Sequence, residues 1–420
     1  MKKNLSTLFA LLFSLILLSG CTLTQQHSLQ VGQKALAAEN YAEAVAAFEK
    51  AGSYEDAMML KQYANAWLLL EGGEYDAAAD AFRFLGDYKD SSLMPSYCEA
   101  RKQEGLSQAA FSAGNTDEAV RAGAEAVSLY TGLSLFRDSD DRAEACRDLL
   151  YTNASDWMNA GRFDAASAAF AALGSFRDSA DLQQYCRASL LMQQGSCLEA
   201  ADVFSEIPGV LDSAAQADAA RSGAYQEALA LRDRGDYQAA ADTFRDLGSY
   251  QDAQAQRDST LVLLVRSLIA SGSYTEALQK LNLLENPSSL FPAADAAESD
   301  SLSVFLQVFA NAWLNAHAGV INGFFSRSLL QPYLEPGGEL DSLLQAELPD
   351  DKVAENYGYV FEAAEPLEFL RLDEGFLAAK VHATASYYGA NYSGNAMNET
   401  LMILIDTRSG NPRAAAVLPL

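Results

Sequence analysis

The stretch Gly235–Ala253, GDYQAAADTFRDLGSYQDA, most narrowly limits what this chain can fold into, because variants of it return along more than half of the sequence. Tyr237, Ala240, Phe244 and Leu247 fall at i, i+3, i+7 and i+10, one stripe of an α-helix. Such a stripe must be buried. Gly235 and Gly248 bracket it with residues suited to positive φ, so a helix of about three turns is predicted between them. A helix that short is marginal alone and has to stack on a neighbour. The segment ends on an aromatic-x-Asp-small signature, Tyr250–Ala253. Asp252 is placed where the next helix begins, and its carboxylate is expected to accept first-turn N–H groups and to favour the positive end of the helix dipole.

The signature recurs as Tyr54–Ala57, Tyr88–Ser91, Phe136–Ser139 and Phe176–Ser179, with an aliphatic variant at Val210–Ser213. Its aspartates, Asp56, Asp90, Asp138, Asp178, Asp212 and Asp252, lie 34, 48, 40, 34 and 40 residues apart. All six are predicted helix caps; a shared calcium site is disfavoured, since calcium needs six to eight converging oxygens. The preceding helix keeps one register throughout: Tyr41, Ala44, Phe48; Tyr75, Ala78, Phe82; Phe163, Ala166, Phe170; Cys197, Ala200, Phe204; Tyr237, Ala240, Phe244; and Tyr274, Ala277, Leu281. The third unit is degenerate, with Thr116, Ala119 and Gly123.

The pattern Gly-x-Tyr-x-x-Ala-x-x-x-Phe resembles the second helix of a tetratricopeptide repeat, in which the alanine admits the neighbouring helix and the phenylalanine packs between repeats. The resemblance covers residues 29–287 and implies a mainly α chain, a solenoid of paired antiparallel helices. The chain departs from that family in lacking the closing proline, for which a Leu-Gly-x-aromatic-x-Asp turn is substituted. Pro95 falls in the expected first turn after Asp90, so that helix is predicted to start late or bend.

Residues 288–300 read as a linker by composition, and from 301 to 420 the period changes. Asp300 is expected to cap a long helix over 301–325 with Phe305, Val308, Phe309, Trp313 and Val320 on its apolar face. Strands are predicted at 357–363, 368–372, 376–388, 400–407 and 414–418, giving a small α+β unit with its helices on one face of an antiparallel sheet. This order is similar to the cone-shaped domain of the nuclear transport factor 2 superfamily, in which a long helix and a curved sheet enclose a cavity. The stretch from Trp313 to Leu344, including Tyr333–Gly337, resembles copies of that domain on the exterior of Gram-positive bacteria. The resemblance implies a cavity able to hold a small ligand or glycan, but no particular activity. His317 and His382 are candidates to meet across that cavity, with Glu368 or Asp373 nearby. Tyr387, Tyr388 and Tyr392 are candidates for a hairpin tip or cavity mouth.

At the other end, Lys2 and Lys3 precede an apolar run from Leu8 to Leu18 and the tetrad Leu18-Ser19-Gly20-Cys21. A charged start, a short apolar stretch and small residues before a cut site make a secretory signal over residues 1–20. The tetrad resembles the lipobox of bacterial lipoproteins, which implies lipidation of Cys21 and anchoring at the extracytoplasmic face of the cell membrane by its acyl chains. Residues 21–28 then form a tether.

The formal charge of −27, from 56 acidic against 29 basic residues, argues against nucleic acid and anionic lipid head groups as partners. Cys98, Cys146, Cys186 and Cys197 sit at repeat positions, about 10 Å apart in stacked helices, and are expected to stay free rather than pair. The histidines, His27, His317 and His382, share no metal-ligand spacing. The acidic group Asp138-Ser139-Asp140-Asp141 reads as a solvated helix face. No nucleophile elbow or phosphate loop is present, and no cofactor, metal or enzymatic activity is predicted. The expected function is protein binding, through acidic repeats that favour partners with basic segments.

Overall fold

The computed structural model describes residues 23–322, 330–347, 358–389 and 392–420. Cys21 therefore lies outside the described residues. Among those described, no helix is long and apolar enough to cross a membrane.

The first two thirds of the chain is helical: α1 (23–37), α2 (Tyr41–Ala51), α3 (Ala57–Glu71), α4 (Tyr75–Leu85), α5 (Met94–Ala113), α6 (Thr116–Gly132), α7 (Ser139–Asn159), α8 (Phe163–Leu173), α9 (Ser179–Gln194), α10 (Cys197–Glu206), α11 (Ser213–Asp233), α12 (Tyr237–Leu247), α13 (Ala253–Ser271) and α14 (Tyr274–Leu281). Each shorter, even-numbered helix carries the repeat stripe. Ala44, Phe48, Ala78, Phe82, Ala166, Phe170, Ala200, Phe204, Ala240 and Phe244 are all essentially inaccessible. Burying each phenylalanine is worth about 1.5–3 kcal/mol, which is what holds these short helices in place. The long α5 begins at Met94 with Pro95 in its first turn, a late start after Asp90 that spares the ring a clash with the preceding turn.

The signature is a tight turn with a fixed conformation. Its second residue adopts positive φ in every copy: 47° at Glu55, 53° at Lys89, 52° at Arg137 and Arg177, and 48° at Leu211 and Gln251. The turn closes by a backbone bond from the small residue to the first, for example Ser139 N to Phe136 O at 3.0 Å and Ala253 N to Tyr250 O at 3.0 Å. Ala57, Ser91, Ser139, Ser179, Ser213 and Ala253 are completely buried there, so only a small side chain fits.

Contacts divide the chain into a unit of residues 1–218 and a unit of 219–420. The second unit joins α12 to α14 with α15 (Ala296–Asn322), α16 (Glu339–Glu347) and a four-stranded antiparallel meander in the order β1 (Gly358–Asp373), β2 (Phe376–Gly389), β3 (Tyr392–Asp406), β4 (Arg413–Pro419). The two strands predicted at 357–363 and 368–372 are one strand, β1, with register shifts around Pro366. A proline is tolerated there because β1 is an edge strand.

Strand alternation gives the sheet two apolar faces. Leu377, Ala379, Val381, Leu401, Ile403 and Ile405 pack with Leu302, Phe305, Leu306, Phe309 and Trp313 of α15 in one buried cluster. On the opposite face Phe376, Ala378, Met402 and Leu404 pack with Leu261, Leu264 and Val265 of α13 and Leu278 and Leu281 of α14. The expectation of helices on one face only is thus corrected: both faces are apolar, and the last repeat covers the second. The expected linker is also structured. Phe291 is buried, Arg371 N donates to Pro292 O at 2.8 Å, and Asp295, rather than Asp300, caps α15 through Glu298 N at 2.8 Å. Asp300 lies inside that helix.

Candidate functional site

At four of the six repeat aspartates the side chain does not cap as predicted. Asp56, Asp138, Asp178 and Asp252 occupy the position before a helix, and their backbone carbonyls accept the first helical bonds. No helical N–H reaches their side chains. Asp90 is separated from α5 by the residues before Leu93, which holds that position instead. The cause is backbone conformation. With the preceding residue at positive φ, the aspartate sits near φ −100°, ψ 19°, as at Asp138, rather than in the extended region that turns a cap side chain back over the helix.

The carboxylates instead accept from tyrosines of neighbouring repeats, in five cases the preceding one. Tyr63 Oη donates to Asp90 at 2.6 Å, Tyr97 to Asp138 at 2.6 Å, Tyr151 to Asp178 at 2.6 Å, Tyr185 to Asp212 at 2.7 Å and, in the second unit, Tyr225 to Asp252 at 2.5 Å. Asp56 accepts from Tyr88 at 2.9 Å. Four of these ties span 27 residues, a constant spacing that is a readable sequence signal. A hydroxyl donating to a carboxylate is a charge-assisted bond, stronger than a neutral one.

In the first unit these ties converge with arginines and aromatic rings. Arg137 donates to Asp90 Oδ2 at 2.6 and 3.0 Å and to Tyr63 Oη at 3.1 Å, while its guanidinium lies 4.1 Å from the Trp67 ring centre. Tyr41 stacks on the same indole with centroids 5.4 Å apart and planes 11° apart. Arg142 bonds Asp138 at 2.7 Å and Glu104 at 3.1 Å, and Glu104 accepts from Tyr130 at 2.7 Å. Burial, outweighed by the Tyr97 hydroxyl and the Arg142 guanidinium, leaves Asp138 with a lowered pKa. Burial and the Asp90 bond push the Tyr63 hydroxyl up to about 12.

Two adjoining hollows open over this network, of about 390 and 760 Å³. They share Glu39, Tyr41, Trp67 and Arg137. Their walls come from α1, α3, α5 and α7, from Tyr41 at the start of α2, and from the turns before α2, α3, α5 and α7. The stacking of repeats therefore builds one groove from residues far apart in sequence. Glu39 stands in the turn after α1, at φ 55°, and Glu71 ends α3. Both are exposed, and neither is in an ion pair among the described residues. Trp67, Tyr41, Arg137 and Glu39 carry no motif in sequence; only the register of Tyr41 was readable.

The remaining candidates lie elsewhere. His382 is half-buried, its Nδ1 3.3 Å from Thr400 Oγ1. Its neighbours Val381 and Ala383 face α15, so by alternation His382 stands on the far side of the sheet from the helix that carries His317. The expected meeting of the two across an interior is thereby corrected. Tyr387, Tyr388 and Tyr392 belong to the paired ends of β2 and β3, where Gly389 pairs with Tyr392; their side chains, and that of His317, lie outside the described part. Cys98, Cys146 and Cys186 are buried and Cys197 partly so, none in a disulfide. Burial pushes the Cys98 and Cys186 thiols up to about 12 and Cys146 to about 11, which makes them poor nucleophiles.

No protein-family model matches this chain, and no curated protein is significantly similar to it.

Proposed function

We propose that the chain is a protein-binding scaffold of the cell envelope, lipid-anchored through Cys21 at the extracytoplasmic face of the membrane, whose repeats offer their groove to an extended segment of a partner. Binding, not catalysis, is the role assigned, with no cofactor. The observation that carries the reading is the groove at Tyr41, Trp67 and Arg137: a hollow with charged walls over largely buried aromatic rings, assembled from α1, α2, α3, α5 and α7. Its volume is in the range of sites that enclose a ligand, and aromatic and arginine side chains are the residue types that dominate binding energy at interfaces.

A peptide-display selection against the full chain tests this. Enriched peptides are expected to bind the wild-type protein and to lose binding to Ala37→Trp, which fills the groove from an exposed helix position. Peptides that bind the variant equally well place the binding surface elsewhere. The anchor is tested by Cys21→Ser, which is expected to release the protein from membranes; continued membrane association would refute lipidation.

A further inference from the structure

α1 begins at residue 23, two residues beyond Cys21, and takes in most of the stretch expected to be a tether. Leu29 and Ala35 are buried in one cluster with Ala44 and Phe48 of α2. Gly32 lies so close to Phe48 that a Cβ there would stand 2.5 Å from the ring. Nearer the start of the helix, a Cβ on Gly52, in the turn after α2, would stand 3.7 Å from the Gln25 amide nitrogen. The helix is therefore packed onto the first repeat along most of its length, and no break in it separates residue 23 from the packed part.

The outward face of α1 differs in charge from the rest of the chain. Leu23, Gln26, His27, Gln30 and Lys34 are exposed and fall at i, i+3, i+4, i+7 and i+11, one stripe of the helix. None is acidic, and all 56 acidic residues of the chain lie at Glu39 or beyond. At the end of α2 beside Gln25, Glu49 is paired with Lys61 at 3.1 Å, and the exposed Lys50 and Glu55 are of opposite sign. The acidity that sets the whole chain against anionic lipid is thus absent from the helix next to the anchor. Glutamine amides are donors to phosphate and ester oxygens, and Leu23, 66% exposed, places an apolar side chain at the end nearest Cys21.

We propose that the first turns of α1, from Leu23 to Gln30, lie in the phospholipid head-group layer of the membrane that the Cys21 acyl chains enter. Leu23 points toward the acyl region and the glutamines donate to head-group oxygens. The proposal rests on the anchor reading above and adds how the fold meets the membrane, through a packed helix in place of a free tether. One leucine and a polar stripe bury too little to hold a membrane without the acyl chains, so the contact follows anchoring. Gln33 and Ala37, which line the 390 Å³ hollow, follow Leu23 by about 15 and 21 Å along the helix axis. A partner segment that enters the groove therefore does so within about 25 Å of the bilayer.

The test uses the lipidated full-length chain in vesicles of phosphatidylethanolamine with one quarter phosphatidylglycerol, and a head-group nitroxide lipid as quencher. In a Cys197→Ser background, whose other three thiols are buried, one bimane label is placed at Gln26→Cys, at Gln30→Cys or, as control, at the exposed Glu199→Cys of α10. The first two labels are expected to be quenched at least about threefold more than the control. A spacer of about ten Gly/Ser residues inserted between Cys21 and Thr22 should leave that ratio above about two, because the helix face itself meets the head groups at high effective concentration. With the label moved to His27→Cys, adding Gln26→Glu and Gln30→Glu should lower its quenching at least about twofold. Equal quenching at all three positions, a ratio that falls to one with the spacer, or quenching unchanged by the two glutamates overturns the head-group contact while leaving the anchor standing. A chain that does not float with the vesicles refutes the anchor and this contact with it.

Discussion

At the scale of single residues, the aspartate in each signature is the instructive case. Its spacing marks it as a structural position, but the same spacing suits a helix cap and an inter-repeat acceptor. The choice is made by the positive φ of the residue before it, which turns the carboxylate away from its own helix toward a tyrosine of a neighbouring repeat. A cap and a tie differ in what a double-mutant cycle reads. Tyr97→Phe is expected to cost about 1–2 kcal/mol, and Asp138→Ala to cost less in the Tyr97→Phe background than alone, with a coupling of about 1 kcal/mol in urea denaturation. Zero coupling would mean the two groups act separately. The ties also set an acid limit. Asp138, Asp212 and Asp252 have pKa values lowered from 3.8: Asp138 by Tyr97 and Arg142 against its burial, Asp212 by Gln216 and then Tyr185, Asp252 by Tyr225 and then Gln256. A folded-state pKa below the unfolded one gives stability that is present above the ordinary carboxylate value and is lost as the pH falls through the lowered one. Tyr97→Phe raises the folded value of Asp138 toward 3.8, so the variant should begin its acid unfolding at higher pH than wild type when both are followed by circular dichroism.

At the scale of elements, the short helices were legible because a buried stripe leaves a periodic trace, and Ala44, Phe82, Phe170 and Phe244 are as inaccessible as that trace demands. The degenerate third unit kept its register at Thr116, Ala119 and Gly123, but what replaces its missing phenylalanine was not legible. Gly123 stands where other repeats place phenylalanine, and a Cβ there would lie 2.9 Å from Ser107 Oγ and 3.0 Å from Leu150 Cδ2. The volume of the missing ring is taken by Leu150, from α7, and by close approach of α5 to α6. Gly123→Ala is therefore expected to destabilise by about 1–3 kcal/mol through overpacking, although the same exchange at an open helical position stabilises by about 0.5–1 kcal/mol. The sign of the change in a thermal melt decides between the two. Sequence also divided β1 at Pro366, because a proline marks a break in isolation and only an edge position makes it admissible.

At the scale of the whole molecule, the boundary expected between repeats and α+β domain is not a boundary in packing. The sheet has a second apolar face, and α13 and α14 cover it. Glu339 of α16 adds a polar link, accepting from Tyr274 N and from Thr275 N at 3.1 Å at the start of α14. A fragment of residues 301–420 would expose Phe376, Met402 and Leu404, and is expected to bind a hydrophobic dye and aggregate. A fragment of residues 219–420 should melt cooperatively with no dye binding. A soluble, cooperatively melting 301–420 fragment would show that the last repeat is dispensable to the sheet.

By itself the sequence determined the repeat, its period, the buried stripe, the turn residues and the antiparallel meander, all of which follow from local spacing and from which side chains must avoid water. Tertiary structure alone decided which partner each aspartate takes, that the sheet is covered on both faces, and that Glu39, Tyr41, Trp67 and Arg137 line one groove. Periodicity reports that a face is buried or a residue is invariant in role; it carries no information about which neighbour lies across it, and every one of those outcomes depends on the neighbour.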